Sequence, residues 1–67
     1  MILREDVTRN FMKAADKNLK VMYNISLSEF EVYYNNELVF NVYDDCDKDG
    51  NSTGKAKEAA QQFINEF

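Results

Sequence analysis

The hydrophobic positions change period along this chain. Over residues 3–18, Leu3, Val7, Phe11, Ala14 and Ala15 recur at helical spacing. Glu5 and Asp6 fall in the first turn, and Lys13 and Lys17 fall near the end, where they complement the helix dipole. The spacing predicts a helix. From Leu19 the period drops to two: Leu19, Val21, Tyr23, Ile25 and Leu27 alternate with Lys20, Met22, Asn24 and Ser26, the mark of a half-buried strand. Phe30, Val32 and Tyr34 form a second strand, and Leu38, Phe40 and Val42 a third. A second helix is predicted over about residues 53–66. Its stripe is Ala56, Ala59, Ala60, Phe63, Ile64 and Phe67, with Ser52 or Thr53 as N-cap.

The strand register follows from arithmetic. A two-residue connection at Asn35-Asn36 would set Val32 opposite Val39, but Phe30 opposite Asn41 and Tyr34 opposite Glu37. A three-residue connection, Asn35-Asn36-Glu37, pairs Tyr34 with Leu38, Val32 with Phe40 and Phe30 with Val42, so every apolar pair shares one face. A tight connection at Leu27-Ser28 then pairs Ile25 with Phe30, Tyr23 with Val32 and Val21 with Tyr34. The expected architecture is α+β: a three-stranded antiparallel meander flanked by two helices (αβββα), both helices on the apolar face, in one domain spanning residues 1–67. Ser-x-x-Glu occurs twice, from Ser26 to Glu29 and from Ser28 to Glu31, and would also cap a short helix in that stretch. The tyrosines, the valine and the register agreement favour strand.

Composition narrows the chemistry. The chain has 67 residues, one cysteine and no histidine, tryptophan or proline. It has no internal disulfide, no histidine-based catalysis and no histidine-ligated zinc. Its longest apolar runs are two or three residues, too short for a membrane span or a signal-peptide core. Cys46 sits among carboxylates that suppress its thiolate. The expectation is a small intracellular protein, in the cytoplasm of a bacterial host cell, with no catalytic residues and no cofactor, acting by binding.

The net charge of −4 is unevenly placed. Residues 1–28 carry five basic and three acidic side chains, residues 29–54 one lysine and seven acids, and residues 55–67 two of each. Phosphate backbones need a basic stripe, and the middle of this chain is its opposite, so direct nucleic-acid binding is not expected. A basic protein partner is. The register places Met22, Asn24, Glu29, Glu31, Tyr33, Val39, Asn41 and Tyr43 on the open face of the sheet, with Tyr33 opposite Val39, Met22 opposite Tyr33 and Glu31 opposite Asn41. Tyrosines among carboxylates have the composition of an interface, since the rings give contact area at low entropy cost and the acids steer. The predicted contact set is Glu29, Glu31, Tyr33 and Tyr43 with Asp44, Asp45, Asp47 and Asp49 of the following loop. Pairing of the open faces in a homodimeric scaffold is the structural alternative.

That loop also bears on metal chemistry. Asp45, Asp47 and Asp49 followed by Gly50 match the first half of an EF-hand calcium loop. The twelfth position, which should be a bidentate glutamate, is Ala56, and the preceding element reads as a strand. A plain polar connection is favoured over a calcium site, and a calcium-responsive module is kept as the functional alternative.

The run Ser26-Leu27-Ser28-Glu29-Phe30-Glu31-Val32-Tyr33-Tyr34 resembles a segment of the small phage proteins that inhibit uracil-DNA glycosylase, which carry a similar Ser-Leu-Ser-acid-Phe-Glu-Val-x-Tyr run. In that family the run is helical and the protein is an acidic dimer that occupies the enzyme's DNA-binding groove. The resemblance covers nine of 67 residues and implies Phe30, Glu31 and Tyr34 as contacts. Size, acidity and asparagine content are also similar to phage-encoded inhibitors more broadly, anti-CRISPR proteins among them. The expected function is that of a non-enzymatic phage-type inhibitor of a bacterial nucleic-acid-processing or defence protein, binding through an acidic surface that mimics DNA.

Overall fold

The structure, a computed structural model, describes residues 2–67. It is α+β, with four strands rather than three and one α-helix rather than two. The strands are β1 (Arg4–Asp6), β2 (Leu19–Asn24), β3 (Glu29–Tyr34) and β4 (Glu37–Tyr43), paired antiparallel in that order. The helix, α1 (Lys55–Glu66), lies across β3 and β4. The core between them holds Phe11, Ala14, Leu19, Val21, Val32, Ala60 and Ile64.

The N-terminal helix predicted over 3–18 does not form. Arg4–Asp6 instead pairs with the outer edge of β2, with Arg4 opposite Asn24 and Asp6 opposite Met22. The Val7 N–H donates to the Val21 carbonyl at 2.9 Å, and the Val21 N–H donates to the Thr8 hydroxyl oxygen at 2.9 Å. A helix here would have left those β2 groups exposed at a sheet edge. The rest of the segment makes two 3₁₀ turns, Thr8–Asn10 and Ala15–Lys17, separated by Lys13 at φ 69° and ended by Asn18 at φ 61°. Left-handed residues interrupt an α-helix. Phe11 and Ala14 still reach the core, whereas Leu3 and Ala15 do not.

This segment is tied to α1. Gln61 accepts from the Met12 N–H and donates to the Met12 carbonyl, both at 2.9 Å. Lys17 Nζ donates to the carbonyls of Ile64 (2.7 Å) and Asn65 (3.0 Å), satisfying acceptors that the helix C-terminus leaves free. At the other end the first helical residue is preceded by Gly54 at φ 80°, with no side-chain cap from Gly54 itself. The Thr53 hydroxyl, one of the two predicted caps, accepts from the Lys55 N–H at 3.3 Å.

Both hairpins keep the predicted buried face by routes that differ from the predicted ones. Between β2 and β3, Tyr23 pairs with Phe30, Val21 with Val32 and Leu19 with Tyr34, two residues away from the expected register. An even shift preserves the face. The strand stops at Asn24 because its Oδ1 accepts from the Leu27 N–H at 3.0 Å, building a turn that Ser28 completes at φ 53°. Ile25 and Leu27 are consequently exposed instead of paired. Between β3 and β4, Asn35 and Asn36 form a two-residue turn with φ 52° and 66°, so Tyr34 faces Glu37. A bulge at Val39 then restores Val32 opposite Phe40 and Phe30 opposite Val42. The Tyr34–Leu38 pair is replaced by Tyr33–Leu38. Residues 29–34 are strand, not helix, throughout.

Candidate functional site

The sheet face away from α1 carries the predicted contacts, and its acids divide into two kinds. Glu29 and Glu31 are only 5% and 4% exposed, and Asn24 between them in β2 is 0% exposed. Burial of a carboxylate is costly unless it is paired. Glu31 is paired fully. Its Oε1 accepts from Arg4 Nε at 2.7 Å and from the Tyr33 hydroxyl at 3.1 Å, while Oε2 accepts from Arg4 Nη2 at 3.3 Å and Asn24 Nδ2 at 3.4 Å. The bidentate guanidinium is the main reason the Glu31 carboxyl lies below the usual carboxylate range, and it outweighs burial, which pushes the other way. The Tyr33 hydroxyl is pushed up, first by burial and then by its bond to the charged Glu31. Glu29 accepts from Asn41 Nδ2 at 3.2 Å.

This arrangement exists because β1 brings Arg4 beside Glu31. No pattern in the sequence separated by 27 positions announces that pair. The opposition of Glu31 and Asn41 is as expected, but Met22 faces Glu31, Tyr33 faces Lys20, and Val39 sits in the bulge. Glu31 and Tyr33 therefore occupy an internal network under Arg4. Of the contacts implied by the phage-inhibitor resemblance, Phe30 packs edge-on against Tyr23 at 4.8 Å and Phe11 at 5.8 Å, Glu31 is buried, and Tyr34 leans on Phe67 at 5.1 Å.

The remaining contacts lie in the open. Tyr43 is 60% exposed at the end of β4, and Asp45, Asp47 and Asp49 are exposed beyond it. Asp44 is half-buried: its N–H extends the ladder to the Ser28 carbonyl, and its carboxylate accepts from the Tyr23 and Ser52 hydroxyls. Asp47 builds the loop, accepting from the N–H groups of Asp49 and Asn51 at 2.9 and 3.0 Å, with Gly50 at φ 82° in the turn. A bridge between Cys46 and Ser52 closes this small hairpin. Among the described residues, no three histidine, cysteine, aspartate or glutamate side chains form a group that could hold a metal ion, and the Asp45-Asp47-Asp49 run is no exception. Among them, too, the one ion pair is Arg4–Glu31, so the loop aspartates have no paired cation. No helix of the structure is long and apolar enough to cross a membrane.

No family model, curated protein or solved structure matches the chain.

Proposed function

We propose that this chain is a non-enzymatic inhibitor of the kind phages encode, which binds a basic surface of a nucleic-acid-processing or defence protein. The contact surface is the end of β4 and the loop after it: Tyr43 as the anchor, with Asp45, Asp47 and Asp49 as the charges. The observation that carries this reading is the exposure of a large tyrosine next to three exposed aspartates that form no ion pair among the described residues. An exposed ring beside unpaired charge suits an interface in which the ring is desolvated and the carboxylates meet lysines or arginines that otherwise hold phosphate. Glu29, Glu31 and Tyr33 serve this surface indirectly, by fixing the sheet that presents it. The calcium reading gains no supporting observation from the loop.

The test is affinity capture from a bacterial lysate with the parent protein and with a Tyr43→Ala, Asp45→Asn, Asp47→Asn, Asp49→Asn variant. The parent should retain a nucleic-acid-binding protein that is released as salt rises, because exposed charge pairs are screened within about 8 Å at physiological ionic strength. The variant should lose it. Equal retention by both baits, or retention insensitive to salt, would overturn this surface.

A further inference from the structure

The opposite end of the same sheet face presents two basic side chains, Arg4 in its pair with Glu31 and Lys20 without an ion-pair partner among the described residues. A groove of about 590 Å³ opens there, within the range of small-molecule sites. It is lined by Arg4 and Lys20, by the polar residues Asn18, Asn35 and Asn36, and by Met22 and Tyr33. No carboxylate lines it, in a chain with twelve acidic side chains. Two acids stand beside the lining: Glu31, whose carboxylate is bound to Arg4 and the Tyr33 hydroxyl, and Asp6, which feels the charge of Lys20 and is held by the Thr8 N–H at 2.9 Å and the Thr8 hydroxyl at 2.7 Å.

Part of the Arg4 guanidinium is free, and its pair with Glu31 aims it. Glu31 grips Arg4 through Nε and Nη2, so Nη1 and the second hydrogen of Nη2 have no partner among the described residues. Buried support of this kind fixes a guanidinium before a ligand arrives and spares the ordering cost on binding. Lys20 Nζ makes no hydrogen bond or ion pair among the described residues, and the same holds for the side-chain amides of Asn18, Asn35 and Asn36. Asn35 and Asn36 are fixed in the lining by the β3–β4 turn, both of whose central residues take positive φ.

We propose that this groove binds a phosphate monoester of mononucleotide size. The phosphate sits between the Arg4 fork and the Lys20 ammonium, since a planar fork and a point cation together suit its oxygens. The flat, hydrogen-bonding base lies toward the asparagine amides, over Met22 and Tyr33. The site is separate from the Tyr43 surface, so either can fail without the other.

The experiment is a titration of the ¹⁵N-labelled protein with a panel of the four common mononucleotides, with the corresponding nucleosides, and with inorganic phosphate. At least one mononucleotide should give saturable shifts at the amides of Lys20, Met22, Tyr33, Asn35 and Asn36. Lys20→Gln, a change at an exposed side chain without partners, should keep the folded spectrum and weaken that binding about tenfold or more. Absence of saturable shifts for all four mononucleotides up to roughly 10 mM would overturn the proposal, affinity weaker than that being negligible. Equal binding by parent and Lys20→Gln would also overturn it. So would equal affinity for inorganic phosphate, which would leave only an anion site with no role for the asparagine rim.

Discussion

The two groups of carboxylates in this small protein have opposite fates. Glu29 and Glu31 are drawn into the sheet and satisfied by Asn41, Arg4, Asn24 and Tyr33. Asp45, Asp47 and Asp49 stand outside it: Asp47 shapes the loop backbone, and none of the three has an ion-pair partner among the described residues. The difference shows that acidity along a sequence does not measure acidity of a surface. What decides it is whether a neighbouring strand delivers a counter-charge, and β1 delivers one to Glu31 alone.

Removing the internal group should cost most. Glu31→Ala leaves Asn24 buried without its acceptor and releases Arg4, whose tether helps hold β1 on the sheet. Breaking a buried pair typically costs 3–5 kcal/mol, and the partial exposure of Arg4 reduces that to roughly 2–3 kcal/mol. That is a large share of the roughly 3–10 kcal/mol expected for a chain of this length. Urea unfolding measures it, and an unchanged midpoint would show that the network adds no stability. The same pair sets the acid response. Because the folded Glu31 carboxyl lies below its ordinary value of 4.5, its contribution is fully present above that value and is lost as the pH falls through the lower folded pKa. Asp6, lowered chiefly by the Thr8 hydroxyl, acts in the same direction. Acid unfolding of a Glu31→Gln variant should therefore be shallower than that of the parent. A smaller effect is expected at the loop: changing Asp45, Asp47 and Asp49 to asparagine takes the net charge from −4 to −1, since three negative charges are removed, and should move stability by no more than about 0.5 kcal/mol. Asparagine keeps the acceptor that Asp47 uses toward Asp49 and Asn51.

The sequence was most informative where local pattern and packing agree. The alternation over residues 19–27, 30–34 and 38–42 and the alanine-rich stripe of α1 identify three of the four strands, the first of them ending three residues early at Asn24, and the one α-helix. Where a choice depended on what lay alongside in space, pattern failed. Residues 3–18 have helical spacing, yet the open edge of β2 competes for their backbone and wins. For the β3–β4 connection the two candidate registers do not exclude each other: the bulge at Val39 allows the chain to use one near the turn and the other beyond it. In the candidate surface, Tyr43 and the loop aspartates lie where alternation and composition placed them, outside the core. The burial of Glu29 and Glu31 could not be read without knowing of β1.

The ties between the N-terminal segment and α1 bear on how the molecule opens. Gln61 clamps the backbone of Met12, and Lys17 holds the last carbonyls of the helix, so neither layer can lift from the sheet alone. Residues 7–18 and 55–66 should then behave as one cooperative unit in native-state hydrogen exchange, their slow amides released at a common free energy. A Gln61→Ala variant would split that unit, letting the irregular segment exchange ahead of the helix. The covering of this sheet, though made from two segments far apart in the chain, should come off in one piece.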